Sequence, residues 1–135
     1  MNIENKAEKL IIKLIRETSS GDLTWNINDT PAGFLNGTED IIPLYLQTKY
    51  KGKNIGVFQR RYKHYIDEDE YHWVENVGFC ITDNNGRVIW EYEERSPLLY
   101  DLFSTAREKA SGIDGLLDDL LDDLLDDAVN DTENI

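Results

Sequence analysis

Ile3, Ala7, Leu10, Ile11, Leu14 and Ile15 recur at intervals of three and four, with Lys6, Glu8, Lys9, Lys13 and Arg16 filling the other positions. That is one apolar stripe on a helix, and Ser19-Ser20-Gly21 supplies its stop. The period then changes. Leu23 to Ile27 alternates as a short strand, and residues 28–40, with Pro31, Gly33 and Gly37, read as a loop. Ile42, Leu44, Leu46 and Thr48 alternate with Tyr45, Gln47 and Lys49, as a half-buried strand requires. A turn at Lys51–Asn54 leads into a return strand reaching about Tyr65. Asp67-Glu68-Asp69-Glu70 forms a tight acidic loop, and Tyr71–Thr82 is the next strand. Asn84-Asn85-Gly86 predicts a type I′ hairpin into Val88–Tyr92.

Helical spacing returns at Ser96-Pro97, an N-cap followed by the one residue whose missing N–H costs nothing at that position. Leu99, Leu102, Phe103, Ala106 and Ala110 make its stripe, and Gly112 ends it. Asp114 caps a further helix built on Leu-Leu-Asp-Asp, repeated from Leu116 to Asp127. Four residues advance a helix by about 400°, so each leucine pair lies about 40° beyond the last. Leucines thus cover about half the circumference and aspartates the rest. The simplest expectation is that these leucines close the domain core. The alternative is an acidic amphipathic helix that docks in a partner's groove.

These elements together predict an α+β domain: an N-terminal helix, a four- to five-stranded antiparallel meander sheet, and two C-terminal helices packed on one face. Residues 1–128 form that single domain, with 129–135 a frayed acidic tail, since aspartates oppose the C-terminal end of a helix dipole. With 135 residues and 40% hydrophobic composition, the chain can bury a core without staples. No apolar run approaches the length of a membrane span, and the N-terminus meets charge before any signal-like stretch develops, so the expected location is the cytoplasm, of a bacterial or phage type. Cys80 stands alone, which excludes an internal disulfide and any cysteine-built metal centre. Between Phe79 and Ile81 it reads as a small buried residue.

The net charge of −13 becomes informative when divided. Residues 1–66 carry ten Lys or Arg against seven Asp or Glu, whereas residues 67–135 carry four against twenty. From Asp114 onward there are nine acidic residues and no basic one. Such a tail repels nucleic acid and anionic membrane and attracts basic partners.

Signatures of common chemistry are missing: no Gly-rich phosphate loop, no Gly-x-Ser-x-Gly, no His-Glu-x-x-His and no EF-hand loop. Asp118-Asp119-Leu120-Leu121-Asp122 has the spelling of the aspartate-rich motif of isoprenoid synthases, but this chain lacks the several helices needed to converge carboxylates on one cavity. His64 and His72 flank the acidic loop and approach each other if their strands form a hairpin; with Glu70 or Glu75 they offer metal or acid–base chemistry, and the simpler reading leaves them as polar side chains on an exposed strand pair. Trp25, Trp73 and Trp90 read as core anchors.

Two function classes lead, and a small enzyme using His64 or His72 stands third. The leading expectation is a non-enzymatic protein-interaction module, of inhibitor, immunity or nucleic-acid-mimic type, whose acidic surface (Asp118, Asp119, Asp122, Asp123, Asp126 and Asp127) meets a basic partner. The alternative is a small anion-, nucleotide- or nucleic-acid-binding domain using the basic aromatic hairpin 45–65. There Lys49, Lys51, Lys53, Arg60, Arg61 and Lys63 alternate with Tyr45, Tyr50, Phe58, Tyr62 and Tyr65. Neither reading calls for a cofactor or a membrane.

Overall fold

The computed structural model describes residues 2–122, and Asp123, Asp126 and Asp127 lie outside the described residues. Helix α1 (Ile3–Ser20) is capped by Asn2, whose side chain accepts the Asn5 N–H at 2.8 Å. Five antiparallel strands follow in sequence order: β1 (Asn26–Ile27), β2 (Ile41–Tyr50), β3 (Lys53–Tyr65), β4 (Tyr71–Thr82) and β5 (Val88–Glu93). Helix α2 (Pro97–Ser111) starts at Ser96, whose hydroxyl accepts the Leu99 N–H. A third helix, α3, occupies residues 113–122 of the described chain. The α+β fold with its antiparallel meander is as the periodicities require.

One sheet face carries the main core. Leu46, Val57, Phe79 and Tyr92 lie in one cross-strand row. They pack with Ile55 against Ala7, Ile11 and Leu14 of α1 and Leu99, Leu102, Phe103 and Ala106 of α2. Trp25 anchors the entry to β1: its indole N–H donates to the buried Thr18 hydroxyl at 2.9 Å, and that hydroxyl donates to the Leu14 carbonyl. Full burial of each large side chain here contributes about 1.5–3 kcal/mol.

The opposite face is covered by the 28–40 segment rather than by a helix. A short 3-10 turn (Ala32–Phe34) inserts Phe34 against Phe58 and Tyr45, with ring centroids 4.7 and 6.3 Å away. Cys80 completes this second cluster. Its room comes from glycine. A Cβ on Gly56 would collide with the Tyr45 ring, and one on Gly78 with the Phe58 ring. Each aromatic side chain therefore lies flat across its neighbouring strand.

Three expectations are corrected. The leucines of α3 do not close the core: Leu116, Leu117, Leu120 and Leu121 are 50–53% exposed. α1 and α2 supply the helical side of the main core, and the four leucines lie outside it. Trp73 is no core anchor, being 46% exposed on a stretch of β4 that lies beyond the helices. The type I′ geometry belongs to Lys51-Gly52, with φ of 51° and 78°, whereas in the 83–87 turn Gly86 alone has positive φ. There the Asp83 carboxylate accepts N–H bonds from Asn85 and Arg87 and fixes a longer loop.

Candidate functional site

Three regions carry the residues that the sequence singled out. The first is the basic hairpin, and the pleat divides it. Arg60 shares a face with Phe58, while Arg61 and Lys63 share the other with Glu75 and Trp73. Arg60 is largely buried. Its guanidinium meets Asp40 at 3.4 Å, Glu93 at 2.9 Å and Glu91 at 3.9 Å, and it lies over the Phe34 and Phe58 rings at 5.2 and 5.6 Å. The approach of Nε to Glu93 Oε1 is electrostatic rather than an aligned hydrogen bond, so both atoms lack a hydrogen-bond partner. Burial pushes the Glu93 carboxyl above its ordinary value despite the cation beside it.

Arg61 pairs with Glu75 at 3.5 Å. Lys63 pairs with Glu39 at 2.9 Å and lies over the Tyr71 and Trp73 rings. The bond from Lys63 holds the Glu39 carboxyl below the usual range, and the Tyr65 hydroxyl donates to the same carboxylate. These three cations therefore serve the domain internally. Lys49, Lys51 and Lys53 sit exposed around the β2–β3 turn and join no ion pair among the described residues.

The second region is one that periodicity did not reveal. β5 ends where Glu93 faces Gly78, and β2 ends where Ile41 faces Arg61. Beyond those points β3 and β4 continue as a two-stranded arm, Arg61 to Tyr65 opposite Tyr71 to Glu75. One side of the arm bears Tyr65, Tyr71 and Trp73, all half-exposed, in successive ring contacts of 5.5 and 6.3 Å. An open hollow of about 420 Å³ beside Trp73 is lined by Ile41, Arg61, Val74 and Glu75. The other side bears His64 and His72, directly opposed in register with ring centroids 5.1 Å apart. The signal was strand length: a twelve-residue β4 followed by a six-residue β5 leaves half of β4 without an outer neighbour.

The third region is α3. Asp114, Asp118, Asp119 and Asp122 are exposed and join no ion pair among the described residues. On the same helix the four exposed leucines lie at positions 116, 117, 120 and 121.

Chemistry at Cys80 is suppressed. It is fully buried, its Sγ is 3.5 Å from the Tyr45 hydroxyl, and burial pushes the thiol up to about 11 and the Tyr45 phenol above its ordinary value as well. Among the described residues no three His, Cys, Asp or Glu side chains are grouped to hold a metal ion, and no helix is long and apolar enough to cross a membrane. Comparison of the chain with family models, curated proteins and solved structures finds no match, which leaves the side chains themselves as the ground for function.

Proposed function

We propose that this protein is a non-enzymatic interaction module whose Leu-Leu-Asp-Asp helix docks onto a basic protein partner. One observation carries the reading: α3 keeps four leucines half-exposed beside aspartates that join no ion pair among the described residues. A helix with an apolar face that its own domain does not cover is matched by an apolar groove on another protein. Its aspartates select a groove rimmed by lysine or arginine, and Asp123, Asp126 and Asp127 extend that charge in the sequence. Leucines supply affinity in this arrangement, and charge supplies on-rate and discrimination.

The test uses the full chain, a chain ending at Ser111, and a variant with Leu116, Leu117, Leu120 and Leu121 replaced by Ser, each titrated against purified basic proteins recovered by crosslinking. Binding is expected to weaken by at least about tenfold as salt rises from low to physiological strength. It is expected to vanish in both altered chains, while their thermal unfolding stays near that of the parent. Binding that survives either alteration refutes the assignment.

The second reading, an anion or nucleotide on the basic hairpin, retains Lys49, Lys51 and Lys53 as the hairpin cations that join no ion pair among the described residues. Its test is a nucleotide or oligonucleotide titration at low salt, and absence of a shift ends it.

A further inference from the structure

We propose that His64 and His72 form a binding site for a divalent transition-metal ion at the outer end of the β3–β4 arm. The two residues are direct cross-strand partners, and their rings face each other with centroids 5.1 Å apart and planes inclined by 53°. Zinc holds imidazole nitrogens at about 2.0–2.1 Å, and two rings bound to one ion at a near-tetrahedral angle have centroids about 5 Å apart. The observed separation is compatible with that geometry. Neither imidazole has a hydrogen-bond partner among the described residues, both are exposed, and the register of the hairpin holds them opposite each other.

The connecting loop adds a field of the right sign. Asp67 is committed to the turn, accepting the Asp69 and Glu70 N–H groups at 2.8 and 2.9 Å, and the Glu70 carbonyl accepts from Ile66. Glu68, Asp69 and Glu70 join no ion pair among the described residues and carry negative charge in the loop that joins the two strands. No third His, Cys, Asp or Glu closes in among the described residues, so water or a ligand from a partner completes the shell. Imidazole donors select the borderline ions, copper, nickel and zinc, over magnesium and calcium.

The experiment is titration of the full chain with zinc and with nickel, followed by the imidazole NMR signals and by calorimetry, on the parent, His64→Gln and His72→Gln. Both side chains are exposed, so both variants are expected to fold. A single saturable site is expected that moves the two histidine signals together and weakens at least tenfold in either variant. Bound metal also raises the melting temperature of the parent more than that of the variants. Equal binding in parent and variants would assign the metal to the aspartate-rich tail and overturn the proposal, as would no response of the histidine signals.

Discussion

Arg60 decides between two uses of a positive charge, and replacing it with methionine separates them. Methionine retains much of the packing volume over Phe34 and Phe58 but removes the cation that faces Asp40, Glu91 and Glu93. Loss of one partner of a buried ion pair costs about 3–5 kcal/mol, because the remaining charge stays buried without compensation. The three carboxylates keep 22–39% of their exposure, so solvent screens part of the penalty, and the lower end, about 3 kcal/mol, is the expected cost. The lost cation–π contact, about 0.5–1 kcal/mol, falls within that figure. Against a total stability of about 5–15 kcal/mol for a small domain, this is a large fraction. Urea unfolding followed by tryptophan fluorescence reads it. The cost is expected to shrink in a Glu93→Gln background, where one of the three orphaned carboxylates is neutral. A change below about 0.5 kcal/mol, the range of ordinary surface substitutions, would show that Arg60 is not an internal tie and would return it to the anion-binding reading.

Further outcomes follow from the same geometry. Gly78→Ala, and likewise Gly56→Ala, is expected to destabilise by about 1–3 kcal/mol through overpacking against Phe58 or Tyr45, although alanine normally stabilises a strand relative to glycine; denaturant midpoints check the sign. The Glu93 carboxyl is raised in the folded state, so it binds its proton more tightly there. The parent is therefore expected to lose stability relative to Glu93→Gln as pH climbs from 4.5 through the raised value, measured by urea unfolding across that range. Glu39 is lowered and acts oppositely: its contribution is present above 4.5 and lost as pH falls through the lowered value, a dependence that Lys63→Met removes. Trp73→Ala is expected to leave stability within about 1 kcal/mol and to remove the indole most open to a soluble quencher, whereas Trp25→Ala costs about 3–5 kcal/mol.

Much of this fold was legible because its signals are local. The stripe from Ala7 to Leu14, the Ser96-Pro97 cap and the alternation in β2 each require only a few neighbouring residues to be recognised. What could not be read was which surface lies against which. Leucines at helical spacing look the same whether α1 and α2 have left them a sheet face or not. Trp73 sits on the same side of β4 as Phe79, and only the early end of β5 places one outside and the other in the core. Residues 28–40 carry almost no periodicity, yet Phe34 and Asp40 close the second face. The basic hairpin misled for a related reason. Its cations are contiguous in sequence, while the carboxylates that engage them come from Glu39, Asp40, Glu75, Glu91 and Glu93 on other segments.

Among the described residues the outer reach of β3 and β4 has no third strand beside it, and its Lys63 and Tyr65 side chains tie it to Glu39 of the preceding loop, so its ladder opens more readily than the inner rows. Amide exchange should quicken stepwise from Gln59 and Val77 toward Ile66 and Glu70 while the inner rows stay protected. Whatever is spliced between Asp67 and Glu70, a tag, a fluorophore or a longer loop, is then sensed at the periphery and ignored by the folded interior.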